Sequence, residues 1–178
     1  PKGIILWIDV PSIEATKQLM NHKDIALVLA TGGSGMVKSA YSTGKPALGV
    51  GPGNVHTYIE KTAHIKRAVN DIIGSKTFDN GMICASEQVM VVDKEVYTEV
   101  VKEFKLHQTY FVNKIELQQL EDAIMNEDKI AVKPDIVGKS AVDIAQLSGI
   151  RVPQYTKLLV AEIDGVGKDY PLSREKLS

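Results

Sequence analysis

Apolar runs alternate with amphipathic stretches along the first half of the chain, the pattern of parallel strands joined by helices. Residues 4–9 read as a strand, residues 13–20 as a helix after Pro11-Ser12, and residues 25–30 as a second, almost wholly apolar strand. Thr31-Gly32-Gly33-Ser34-Gly35 breaks the run, residues 36–42 are helical, and Gly44 and Pro46 end that helix. A short strand at 47–50 leads into Gly49, Gly51 and Gly53, and residues 55–60 continue as an extended segment. Thr62 is positioned to cap a long helix whose apolar face holds Ile65, Ala68, Val69, Ile72 and Ile73. Phe78-Asp79-Asn80-Gly81 then marks a turn before a strand at 88–92.

The second half repeats the alternation. Asp93 is a candidate cap for a helix at 96–105, and residues 109–112 read as a strand. Asn113 with Glu116 opens a helix running through Met125, and Ser140 with Asp143 opens another through Leu147, each pair having the spacing of a capping box. Residues 156–163 form the last expected strand, and residues 164–174 a polar loop. The expected class is α/β. A shift in composition near residues 76–84, from Gly-rich to Glu- and Lys-rich, is the expected boundary between parts.

Composition narrows the chemistry. Of 178 residues, 44% are hydrophobic, enough for a globular core, and 21 basic against 22 acidic residues leave no field of one sign to attract nucleic acid or an anionic membrane. The apolar runs are too short to span a bilayer, and the start lacks a signal-peptide pattern, so the cytoplasm is the expected location. The single cysteine, Cys84, rules out an internal disulfide, and the four histidines have no metal-ligand spacing, so no metal site is expected.

Three features could carry function. The turn at Gly32, Gly33 and Gly35 lies between a buried strand and a helix, where backbone N–H groups meet a phosphate or ribose; it fits neither G-x-G-x-x-G nor a P-loop, and a tight connection needing positive φ is the competing account. Gly49, Gly51 and Gly53 strip side chains from one face of an extended segment, allowing a ligand or another backbone to approach, or else form a bend at Pro52. Cys84 is either a small buried hydrophobe or a nucleophile, and the small and turn-forming residues beside it would leave its thiol open. A cysteine hydrolase would need a paired base, which nothing marks among His22, His56, His64 and His107.

Phe78-Asp79-Asn80-Gly81-Met82-Ile83-Cys84-Ala85-Ser86-Glu87-Gln88 closely resembles the nucleophile segment in the aldehyde dehydrogenase half of bacterial bifunctional aldehyde-alcohol dehydrogenases. Ala30-Thr31-Gly32-Gly33-Ser34-Gly35-Met36-Val37 is similar to that family's nicotinamide-cofactor turn. Gly44-Lys45-Pro46-Ala47-Leu48-Gly49-Val50-Gly51-Pro52-Gly53-Asn54 resembles its second glycine segment, and Glu175-Lys176-Leu177-Ser178 the start of the motif whose Glu holds the nicotinamide ribose. The resemblance runs along the whole chain and implies a three-layer, aldehyde dehydrogenase-like α/β fold. Residues 1–80 would be the C-terminal part of a Rossmann-like NAD-binding domain, and residues 81–178 the N-terminal part of the catalytic domain, its tail returning towards the cofactor.

What the resemblance implies about function follows residue by residue. Cys84 would be the catalytic nucleophile, with Thr31, Gly32, Gly33, Gly51 and Glu175 at the NAD cofactor. Hydrolytic members of the superfamily carry a water-activating Glu in a Leu-Glu-Leu-Gly-Gly-type segment; aligned on residues 47–53, that place is taken by Val50, which is no base. The acyl-cysteine then passes to coenzyme A, a thiol acceptor of nearly equal energy. The implied reaction interconverts acetaldehyde and acetyl-CoA, in the reducing direction during fermentation and ethanol formation, with succinate semialdehyde or another short-chain aldehyde as the alternative substrate. The chain, with neither an initiator Met nor a completed last motif, is expected to be cut from a longer polypeptide that forms homo-oligomers or filaments. By itself it would be inactive, or an assembly module.

Overall fold

The computed structural model describes residues 3–174, and the chain divides into two compact units, Pro1–Pro52 and Gly53–Ser178. In the first unit α1 (Ile13–Asn21) starts where Ser12 accepts a hydrogen bond from the Ala15 N–H at 3.0 Å. β1 (Val28–Thr31) and β2 (Ala47–Val50) pair in parallel, with α2 (Ser34–Tyr41) as the crossover. Met20, Val28, Ala30 and Ala40 form the small core.

The strand expected at 4–9 does not form. Ile4, Ile5, Leu6 and Trp7 lie exposed and pair with neither β1 nor β2, and an extended segment without a partner edge gains no ladder hydrogen bonds.

In the second unit β3 (Val55–Ile59) pairs in parallel with β4 (Glu87–Val92) across α3 (Ile65–Thr77). The N-cap of α3 is His64, whose ring nitrogen accepts from the Arg67 N–H at 3.4 Å, and not Thr62, whose hydroxyl is taken by Glu60. Asp93 likewise does not cap α4 (Tyr97–Leu106): its carboxylate accepts from the Tyr58 hydroxyl at 2.8 Å and the Lys61 N–H at 2.9 Å, tying β3 to the end of β4.

β5 (Thr109–Val112) pairs in parallel with β6 (Leu158–Ala161), and between them in sequence lie α5 (Lys114–Ile124) and α6 (Ala141–Leu147). Both expected capping boxes are present, Asn113 with Glu116 and Ser140 with Asp143.

Alternation along the strands explains the layering of this unit. Phe111 and Leu158 join the cluster of Val69, Ile72, Val100 and Phe104 from α3 and α4, while neighbouring Val112 and Leu159 join Leu120, Ile124 and Ile144 from α5 and α6. Successive side chains enter opposite helical layers, which is the three-layer α/β arrangement. The segment of 53–80 packs with β4, so the compact units meet upstream of the composition shift at 76–84. Among the described residues no helix is long and apolar enough to cross a membrane.

Candidate functional site

The nucleophile turn is built where α3 ends. Phe78–Gly81 forms a 3-10 turn in which Asp79 and Asn80 both take left-handed backbone conformations, at φ 49° and 50°, and Gly81 follows at φ 73°. Asp and Asn are the side-chain-bearing residues that tolerate this region best, and Gly enters it freely. The reversal turns the chain off the helix and sends it towards β4.

Short hydrogen bonds then hold the loop. The Met82 N–H donates to the Asp79 carbonyl at 3.2 Å and the Ser86 N–H to the Ile83 carbonyl at 2.9 Å. The buried Ser86 hydroxyl donates to the Gly81 carbonyl at 3.2 Å, and the Asn80 amide reaches the Gly138 carbonyl at 2.8 Å. Met82 sits over Gly138, where a Cβ would stand 2.9 Å from its sulfur, and Gly138 is itself at φ 78°.

Cys84 is at the crest of this turn and exposed. Its backbone N–H finds no backbone acceptor among the described residues, leaving a donor beside the sulfur for an oxyanion. The buried-hydrophobe account of Cys84 therefore fails on exposure. None of the histidines serves as its hydrogen-bonded base among the described residues: His22 and His64 accept from nearby backbone N–H groups, His107 pairs with Glu103 at 3.3 Å, and His56 is exposed on β3.

Beneath the turn, buried Lys76 is pushed down to about 8 by loss of hydration, with the charge of Glu87 opposing the shift. Nothing in the sequence pattern distinguished it, since a lysine in the last turn of an amphipathic helix ordinarily faces water.

The three glycines at 49, 51 and 53 lie in three different surroundings. A Cβ at Gly49 would lie 2.6 Å from Val37 and 2.9 Å from the Tyr41 ring, so this position lets α2 pack on β2, and its N–H donates to the Tyr41 hydroxyl at 3.1 Å. A Cβ at Gly53 would lie 3.3 Å from the Cys84 carbonyl oxygen. At Gly51 a Cβ would meet nothing within 4 Å, and the backbone there does not need positive φ.

In the first unit the parallel register sets Thr31 beside Val50, and the Gly32 N–H donates to the Val50 carbonyl at 3.0 Å. The carboxyl ends of β1 and β2 thereby bring Thr31, Gly32, Gly33 and Gly51 together. Gly33 caps α2 without a side-chain hydrogen bond, and Cβ atoms at Gly33 and Gly35 would meet open space. None of Gly32, Gly33 and Gly35 has positive φ, so the tight-turn account of these glycines does not hold. What remains is a bare helix N-terminus with open backbone N–H groups, a surface suited to the phosphates or ribose of a dinucleotide. Glu175, the remaining expected cofactor residue, lies outside the described residues. Among the described residues no cluster of potential metal ligands occurs.

The family model of the aldehyde dehydrogenase family matches residues 1–120. The aldehyde-alcohol dehydrogenase of Streptococcus pneumoniae serotype 4 is 54% identical over 100% of this chain, which spans 21% of that relative's length. The crystal structure of an acetylating aldehyde dehydrogenase from Geobacillus thermoglucosidasius superposes with a TM-score of 0.94 at 52% identity, over 100% of this chain and 39% of its own. A Rhodopseudomonas palustris propionaldehyde dehydrogenase, solved with bound CoA and an acylated cysteine, superposes with a TM-score of 0.82 at 32% identity, over 91% of this chain and 36% of its own. With two thirds of its length matched by one family model and all of it by a relative sharing half its residues, the chain belongs to the aldehyde dehydrogenase family.

Proposed function

We propose that this chain carries the nucleophile and part of the cofactor surface of an NAD-dependent, coenzyme A-acylating aldehyde dehydrogenase that interconverts acetaldehyde and acetyl-CoA. The observation that carries this reading is the exposed Cys84 on a turn whose backbone is held from both sides. Residues 1–80 would contribute to the cofactor side and residues 81–178 to the catalytic side. Turnover would belong to a longer, cytoplasmic and oligomeric polypeptide, and the isolated chain would turn over weakly or not at all.

In the forward direction the Cys84 thiolate adds to the aldehyde carbonyl carbon, forming a C–S bond and an oxyanion. The free Cys84 N–H is placed to donate to that oxygen. A cofactor held at Thr31, Gly32, Gly33 and Gly51 supplies, when bound, the acceptor for the hydride that converts the adduct into an acyl thioester. Coenzyme A thiolate then attacks the acyl carbon, and Cys84 leaves as thiolate. Val50, at the end of β2, offers no carboxylate to activate water, which favours a thiol acceptor over hydrolysis. A thioester replaces a thioester, so the sequence reverses readily.

Acyl exchange can be tested on the chain itself. Incubation with acetyl-CoA, followed by intact-mass measurement and peptide mapping, should place one acetyl group on Cys84 faster than in the same chain denatured in urea. Equal rates in the folded and denatured chain would sink the reading, because they would reduce Cys84 to an ordinary exposed thiol.

A further inference from the structure

Residues 165–173, after β6, form a strap folded upon itself. The Tyr170 ring covers Gly165, where a Cβ would stand 2.4 Å from it. The Tyr170 N–H donates to the Gly167 carbonyl at 3.1 Å, and the Ser173 N–H to the Tyr170 carbonyl at 2.9 Å. The Ser173 hydroxyl accepts from the Gly167 N–H at 3.0 Å and donates to the Tyr170 carbonyl at 2.7 Å. Pro171, Leu172 and Ser173 are buried, and Leu172 joins the cluster of Ile124 and Ile144.

The Ser173 carbonyl takes no part in these bonds, and its donor comes from 119 positions away: the Asn54 amide reaches it at 2.9 Å. A carbonyl only accepts, so the NH2 side of the amide faces it. Asn54 is exposed and its φ is not positive, so neither burial nor a left-handed turn asks for an asparagine there. Its neighbour Gly53 is the residue whose Cβ would stand 3.3 Å from the Cys84 carbonyl oxygen. Adjacent residues thus touch the nucleophile turn through backbone and the strap through a side chain.

We propose that Asn54 is a positioning residue, which holds the strap in register with the Cys84 turn so that the residues following Ser173 meet the cofactor at a set distance from the thiol. Ser173 stands two positions before Glu175, the residue expected at the nicotinamide ribose. Hydride transfer needs the nicotinamide ring and the acyl carbon aligned closely, and a shift of about 1 Å can cost about 10²-fold in rate. Asn54 itself touches neither reactant and acts through the strap. The proposal rests on the reading of Cys84 and Glu175 given above and adds the side chain that relates the two.

The test uses a full-length polypeptide carrying this segment. NADH affinity is read from the cofactor's fluorescence, amide hydrogen exchange of residues 165–173 from mass, and acetylation of Cys84 from acetyl-CoA without NADH. Asn54→Asp keeps the size of the side chain but replaces the donor with an acceptor. It should speed exchange in the strap by at least about tenfold and weaken NADH binding by about tenfold, with acetylation of Cys84 within about twofold of the parent. Asn54→Gln, which keeps the amide, should recover part of both losses. In a Glu175→Gln background, itself weakened for NADH, Asn54→Asp should cost less than about a further twofold, because the two residues act as one unit. Unchanged strap exchange, unchanged NADH affinity, or independent effects in the double variant overturns the proposal. A parent that binds NADH but takes no acetyl group at Cys84, or a Glu175→Gln variant of undiminished NADH affinity, overturns the underlying reading of the site and the proposal with it.

Discussion

Gly53 and the nucleophile meet through backbone: a Cβ on Gly53 would stand 3.3 Å from the carbonyl oxygen of Cys84. The residue that precedes β3 by two positions thus sets how closely the chain passes the turn that precedes β4.

Gly53→Ala should therefore displace the Cys84 carbonyl, costing about 1–2 kcal/mol of stability and slowing acetyl exchange at the thiol. Gly51→Ala, where the added carbon meets open space, should stay within about 0.5 kcal/mol. Urea denaturation of the two variants, with acetylation followed by mass, separates them.

Cys84→Ser should remove acetyl transfer outright. In a full-length polypeptide carrying this segment, NADH-dependent reduction of acetyl-CoA should fall by at least about 10³-fold. Because Cys84 is exposed, the urea midpoint should not move, which distinguishes loss of a nucleophile from loss of fold.

Asn80 combines a left-handed backbone with a side-chain bond to the Gly138 carbonyl. Asn80→Ala loses both and should cost about 1–3 kcal/mol. Asn80→Gly restores the backbone freedom without the hydrogen bond and should recover part of that loss, again read from the denaturation midpoint.

Lys76 gives a pH dependence of definite sign. Its folded pKa, about 8, lies below the ordinary lysine value of 10.5 because burial disfavours the charge, with Glu87 partly opposing. Between these values the unfolded chain binds more protons than the folded one, so this group's contribution to stability increases as pH rises from about 8 towards 10.5. Below about 8 both states are charged and the full cost of burial is felt. Lys76→Met should flatten that slope, as pH-dependent denaturation would show.

Elements with their signals in local sequence were legible. The capping boxes at Asn113 and Ser140 announced α5 and α6, and the apolar runs at 47–50 and 109–112 are the strands β2 and β5. Where the deciding partner is remote in sequence, the reading failed. Asp93 looked like a cap because its partners lie back in β3 and the following turn, whereas Thr62 lost that role locally, its hydroxyl going to the neighbouring Glu60. The run at 4–9 has the composition of a strand but pairs with neither β1 nor β2.

The candidate site divides in the same way. Cys84 stood out through the segment around it, and in the structure it is exposed. Gly49 and Gly53 face close neighbours and Gly51 faces none, and alternate spacing alone could not tell a packing glycine from an open one.

The polarity of the sheets has a further consequence. In the first unit Thr31, Gly32 and Gly51 gather where strands β1 and β2 finish, the pole at which open α/β sheets ordinarily hold ligands. In the second unit Gly53 and Cys84 lie ahead of β3 and β4, at the pole where strands begin. A dinucleotide and a thioester would thus be served by opposite poles of two parallel pairs. A graft that moved one strand–turn–helix unit into the other's place would present its reactive groups at the wrong end of the sheet.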